Sequence, residues 1–190
     1  METIAYKIVK YLGDDQDYWN DIERMHMMLG IQILLHNAIM LGTILFVAKI
    51  IGILIEASIL LLAYGIVKTS AGGIHFKKSS SCLIGTGTFV GVGVWISRQL
   101  NIILCHIIII YIICLIILII VGPQGTENNP ISEKHYKKLK KRTIFWILSY
   151  MFTTVIADIM IRRIPYLLFI AVVFETLSLF PPYIKKRGMD

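Results

Sequence analysis

Residues 102–121 contain no Asp, Glu, Lys or Arg. A helix of that length rises about 30 Å, which is the thickness of a bilayer's hydrocarbon core. A run of this kind leaves the chain little choice of solvent. Similar runs recur on both sides of it. Residues 31–67 are apolar apart from His36, Asn37, Lys49 and Glu56. They are too long for one straight span and divide into 31–48 and 51–67, with a turn near Lys49 and Gly52. Residues 83–97 pair with 102–121 through a turn at Arg98, Gln99 and Asn101. Residues 143–160 and 164–180 form a third pair that turns at Arg162-Arg163. Pro181-Pro182 are expected to stop the last helix, because proline removes a donor from the helical ladder.

The pattern predicts an all-α, polytopic membrane helical protein with about six transmembrane segments. The count falls toward four if 31–67 crosses once. Hydrophobic residues make up 56% of the chain, above the roughly 45–50% of soluble domains. Residues 1–30 read as an N-terminal amphipathic helical segment. Ile4, Ile8, Tyr11 and Leu12 make one apolar stripe, and Tyr18, Ile22, Met25 and Leu29 another. Residues 31–190 form the membrane-embedded domain, with polar loops at 68–82 and 122–142. Asp14, Asp15, Asp17, Asp21 and Glu23 rule out a signal-peptide core in the first 28 residues.

The net charge is +7. The lysines cluster beside apolar blocks, as topogenic and headgroup-facing charge does. No basic recognition module is visible, so nucleic acid is not an expected partner. Lys68, Lys77 and Lys78 flank one loop. Lys134, Lys137, Lys138, Lys140, Lys141 and Arg142 follow the other. The positive-inside rule places both loops and the C-terminus in the cytoplasm of a multi-pass cell-membrane protein.

The 68–82 loop also carries chemistry. Gly72-Gly73 precede His75, and Cys82 follows seven residues later. A thiol is a weak nucleophile until a base or a positive field favours its thiolate. His75 could take the thiol proton and later protonate a leaving amine. Lys77 and Lys78 could supply the field, and the glycine pair allows close approach of backbone to a substrate. On one continuous helix positions 75 and 82 lie about 10 Å apart along the axis. A dyad therefore needs a bend at His75 and a new helix beginning near Cys82, which Ser79-Ser80-Ser81 could cap. The plainer alternative is a small apolar cysteine at a helix start beside a headgroup-level histidine.

Other polar residues lie within apolar runs. Glu56, Asp158 and Glu175 are costly there and are functional candidates. Glu175 or Asp158 could orient His75; each could equally pair internally with Lys49, Arg162 or Arg163. Three cysteines give no disulfide framework. Cys105 and Cys114, nine residues apart, fall on opposite faces of one helix, and neighbouring His106 is expected at a packed polar contact. His26, His36 and His135 have no metal-ligand spacing, so no metal or other cofactor is expected. Gly87 and Gly91, four apart, read as close helix packing that could bring another helix against the Cys82 end or join two subunits.

Lys68-Thr-Ser-Ala-Gly-Gly-Ile-His75 with Cys82 resembles the signature of the accessory gene regulator B (AgrB) family. The similarity extends to Met28-Leu29-Gly30-Ile31-Gln32, to Gly122-Pro123 with Asn128-Asn129-Pro130-Ile131, and to Phe174-Glu175-Thr176-Leu177-Ser178-Leu179-Phe180-Pro181. The resemblance implies a membrane cysteine endopeptidase of Gram-positive bacteria that matures a quorum-sensing peptide, with Cys82 and His75 catalytic. It implies an AgrD-like precursor peptide as substrate, a thiolactone or lactone product, and a homodimer. Lys68 stands where the family often has arginine, and Gly122 where alanine is common. Lys68, Lys77, Lys78, Lys137, Lys138, Lys140 and Lys141 are candidates to hold an acidic tail, with Gly72 and Gly73 at the substrate backbone. Two other function classes use the same residues: a non-enzymatic transporter or peptide-binding protein with Glu56 and Glu175 along a path, and an acyltransferase acting through Cys82.

Overall fold

A computed structural model describes residues 2–13, 21–72, 79–123, 133–160 and 163–187. The described residues are helical, with no strand among them. The helices are α1 (Glu2–Gly13), α2 (Asp21–Ile51), α3 (Leu54–Ala71), α4 (Ser79–Gln99), α5 (Leu104–Val121), α6 (Glu133–Met160) and α7 (Arg163–Arg187). Four stretches are long and apolar enough to cross a membrane: Ile22–Ile51, Leu54–Ala71, Ser80–Gln99 and Leu104–Val121. The chain is thus an all-α protein with the build of a polytopic membrane protein. Tyr166–Leu179 is a shorter apolar stretch.

Two compact units divide the chain at Ile51 and Gly52. In the first, α1 packs against α2. The α2 helix passes through residues 30 and 31 without a break. It exposes Ile33, Leu34, Phe46, Val47 and Ile50, an apolar surface suited to lipid. The helix ends where the sequence predicts a turn. Gly52 has φ +77°, a left-handed conformation open to glycine, and the next helix begins two residues later.

The second unit is a bundle of α3 to α7 with α7 at its centre. That helix packs against α3, α4, α5 and α6. Its residues Tyr166, Leu167, Leu168, Phe169, Ile170, Ala171 and Val172 are all buried. A helix apolar on every side can face lipid or other helices, and residues 166–172 of α7 face other helices. Hydroxyls tie the bundle across its core. Tyr111 and Thr154 meet at 3.0 Å between α5 and α6. The Tyr150 hydroxyl donates to the Ala63 carbonyl at 3.1 Å. In an apolar interior each such pair removes the penalty of an unsatisfied polar group.

Several sequence expectations need correction. Residues 133–142 are helical and continue directly into the following apolar stretch as α6. Low hydropathy suggests a loop, but Glu, Lys, Leu and Arg are good helix formers. Pro181-Pro182 do not stop α7, which runs on to Arg187. The two prolines remove two ladder donors, yet their fixed φ is itself helical. A Cβ added at Gly87 or Gly91 would meet nothing within 4 Å. The close approach within the chain is instead at Gly93, where an added Cβ would lie 2.7 Å from Leu60 Cδ2 and 3.4 Å from Ile170 Cγ2. His106 is exposed rather than packed.

Candidate active site

The register of α3 against α4 fixes where Cys82 lies. Arg98 meets Glu56 at 2.8 Å. Gly93 abuts Leu60. The Phe89 and Tyr64 rings stand 4.6 Å apart. These pairings describe an antiparallel helix pair in constant step. Carried about two turns beyond Tyr64 and two beyond Phe89, that step brings Cys82 level with Ala71, the last residue of α3. The candidate nucleophile and the end of α3 therefore share one end of the bundle.

The local chemistry of both segments follows from sequence. Gly72 closes α3 with φ +86° and ψ −129°, and its N–H donates to the Lys68 carbonyl at 2.9 Å. Such backbone angles are essentially restricted to glycine. The α4 helix starts at Ser79, so Cys82 falls in its first turn, with no acidic side chain in that turn. Backbone N–H groups there lack partners within the helix. Cys82 is half-buried and is not in a disulfide. The catalytic candidate His75, with Gly73, Lys77 and Lys78, lies outside the described residues.

The other lysine candidates belong to the same end. Tyr136, in the first turn of α6, donates its hydroxyl to the Gly122 carbonyl at 3.0 Å. Gly122 backs onto α3 and α7: a Cβ there would lie 3.9 Å from the Ala71 carbonyl oxygen and 3.6 Å from Leu179 Cδ1. The basic start of α6 is thus anchored beside the end of α3. Lys137, Lys138 and Lys141 are exposed, and the Lys140 ammonium stands 5.8 Å from the Tyr136 ring centroid.

The ionisable residues separate into different places. Glu56 pairs with Arg98 at the end of the α3–α4 pair away from Cys82. Asp158 lies about six turns along α6 from Tyr136, roughly 33 Å at 1.5 Å per residue, and is remote from Cys82. Glu175 is fully buried on α7 and accepts a hydrogen bond from Ser178 at 3.3 Å. Lys68 reaches inward, donating to the Tyr64 hydroxyl at 3.2 Å. Sequence reasoning passed over Tyr64 and Ser178. Their signals were there: Tyr64 is four residues before Lys68, and Ser178 is three after Glu175, spacings that bring helical side chains together. Cys105 is exposed and Cys114 buried, as opposite helix faces require. No cluster of metal-binding side chains occurs among the described residues.

Comparison with known proteins now bears on this arrangement. The family described as Accessory gene regulator B matches residues 2–179. The chain belongs to the accessory gene regulator B family. It is 26% identical to a putative AgrB-like protein of Clostridium acetobutylicum, over 98% of this chain and 87% of that protein. It is 24% identical to putative AgrB-like protein 2 of Clostridium perfringens, over 84% of this chain and 78% of that one. Similarity to accessory gene regulator protein B of Staphylococcus aureus is 23% identity over 87% of each chain. No solved structure matches the chain. Membership of the AgrB family connects this membrane protein with quorum sensing.

Proposed function

We propose that this AgrB-family chain is a membrane cysteine endopeptidase that trims and cyclises a signalling propeptide. The observation that carries the reading is the placement of Cys82. It stands in the first turn of α4, level with the end of α3, where the Gly72-Gly73-Ile74-His75 segment begins. Four residues after Ala71, His75 is near enough in chain length to reach that thiol.

The chemistry proceeds in two transfers. Cys82 Sγ, relieved of its proton by His75, attacks the carbonyl carbon on the C-terminal side of the signal sequence. The C–N bond breaks, the proton passes from His75 to the leaving amine, and the acidic tail departs. A thioester now joins the peptide to Cys82. A thiol or hydroxyl within the peptide attacks that thioester, returns a proton to Cys82 and closes a thiolactone or lactone. No water enters. Exclusion of water by the apolar surroundings favours closure over hydrolysis. The exposed Lys137, Lys138 and Lys141 offer positive charge to an acidic tail of an AgrD-like precursor peptide. A homodimer, and a cytoplasmic position for the Cys82 end, belong to the same reading.

Two other function classes gain less support. A transporter with Glu56 and Glu175 along a path needs both groups accessible, yet Glu175 is 0% exposed and Glu56 is held by Arg98. An acyltransferase would carry an acyl group on Cys82 without cutting a peptide.

The test is co-expression with a candidate precursor and mass spectrometry of the products. Wild type should yield a fragment one water lighter than the linear peptide, and Cys82→Ala and His75→Ala should yield none. Cleavage that survives Cys82→Ala would overturn the mechanism.

A further inference from the structure

The first turns of α6 are poorly made to hold a helix by themselves. Lys134, Lys137, Lys138, Lys140, Lys141 and Arg142 crowd into nine residues. Several stand three or four apart, the spacings at which like charges on a helix repel. Positive charge at a helix N-terminus also opposes the helix dipole. Yet α6 begins at Glu133. An attachment from outside the segment must offset these costs.

Tyr136 is that attachment. From Glu133 to Lys138 it is the one large apolar side chain. It opens the inward stripe of α6: Tyr136, Leu139 and Lys140 are half-buried, and Thr143 and Ile147 are buried. These positions follow the three-and-four spacing of one helix face. The Tyr136 hydroxyl donates to the Gly122 carbonyl at 3.0 Å. Gly122 is buried just past the end of α5, where carbonyls run out of helical partners and need a donor from elsewhere.

Gly122 lies in turn against two other helices. A Cβ there would stand 3.9 Å from the Ala71 carbonyl oxygen and 3.6 Å from Leu179 Cδ1. One hydrogen bond thus joins the start of α6 to the place where α3, α5 and α7 meet. It also fixes how α6 is rotated about its own axis. With Tyr136 turned inward, Lys137, Lys138 and Lys141 are exposed, while the Lys140 ammonium stands 5.8 Å from the Tyr136 ring centroid.

We propose that Tyr136 is a positioning residue that sets substrate affinity: its hydroxyl clamps the basic start of α6 to Gly122 and so holds Lys137, Lys138 and Lys141 as a fixed surface at the Cys82 end of the bundle. The acidic tail of a precursor then meets charges already in place. Charge that is ordered beforehand binds more tightly, because binding no longer has to order it. The substrate meaning of this role rests on the endopeptidase reading, but the clamp itself does not.

The experiment uses the full chain in lipid nanodiscs, as wild type and as Tyr136→Phe, which removes one oxygen atom and keeps the ring. The first readout is hydrogen–deuterium exchange, which needs no precursor. Amides of residues 137–143 make the first hydrogen bonds of α6. They should exchange at least fivefold faster in Tyr136→Phe, with those of 147–160 within twofold of wild type. Acceleration below twofold at 137–143 would overturn the clamp. So would equal acceleration along the whole of α6, the mark of a general packing defect. If Tyr136→Phe fails to accumulate, Tyr136→Gln decides: recovery of the membrane level by a side chain that keeps an N–H donor supports the hydrogen bond, and no recovery overturns it. The second readout is cleavage of two synthetic precursors, one with its acidic tail and one with the tail acids changed to amides. Tyr136→Phe should raise KM for the first at least fivefold with kcat within twofold, and change KM for the second less than twofold. A fall in kcat at unchanged KM, or equal rises in KM for both precursors, would overturn the positioning role. Faster exchange at 137–143 without any cleavage by wild type would fault the endopeptidase reading alone.

Discussion

Arg98 Nη2 meets Glu56 Oε1 at 2.8 Å where the start of α3 faces the end of α4, at the opposite end of that helix pair from Cys82. The Arg98 side chain is 40% exposed and that of Glu56 17%. Exposed ion pairs contribute up to about 1 kcal/mol. Arg98→Gln should lower the thermal midpoint in detergent by a few degrees and leave Cys82 alkylation unaltered. A tenfold change in alkylation at unchanged midpoint would mean that the two ends of the pair are coupled.

Gly52 and Gly72 both have positive φ, but they sit at opposite ends of α3. Alanine at either should cost about 1–3 kcal/mol through backbone strain. Only Gly72→Ala should alter the alkylation rate of Cys82 and the yield of cleaved precursor, because only Gly72 leads toward α4's first turn. Equal effects on reactivity would refute that division of labour.

Overpacking at Gly93 should be felt at once. Its added Cβ would fall 2.7 Å from Leu60 Cδ2, and Leu60 is fully buried. Gly93→Val should therefore destabilise by about 1–3 kcal/mol. Gly87→Ala and Gly91→Ala should be neutral or stabilising by up to about 1 kcal/mol, since glycine is a poor helix former and space is open there. Unfolding midpoints of the three variants check this. Marked loss at Gly91→Ala, together with loss of a dimer on crosslinking, would place a second copy on that face.

Tyr111→Phe removes the hydroxyl that meets Thr154, a residue that is itself 0% exposed. Stranding that buried hydroxyl should cost about 1–2 kcal/mol. The pair Tyr111→Phe with Thr154→Val should cost less than Tyr111→Phe with Thr154 kept. A cycle with no interaction between the two sites would show that the hydroxyls do not depend on each other.

Much of the architecture is legible in hydropathy alone. The break at Gly52 and the spans ending at Gln99 and Val121 are positions where an apolar run meets glycine or charge. Partner choice is not legible in this way. Glu56 takes Arg98, 42 residues on, because antiparallel helices bring residues far apart in sequence together. The central place of α7 is hidden for a related reason: Tyr166 to Val172 are apolar on every face, so no periodicity marks an inward side. Buried Glu175 announced itself only as one ionisable residue in an apolar run.

The burial of α7 on all sides has a bearing on biogenesis. The helix around which the bundle packs follows every other described helix in the sequence. Until the ribosome has delivered residues 163–179, α3, α4 and α5 stand in the bilayer without the column they share. Assembly of the end that carries Cys82 thus waits until α7 has been made. A chain stalled or clipped before Arg163 would reach the membrane carrying Cys82 but lacking the helix against which α3, α4 and α5 pack.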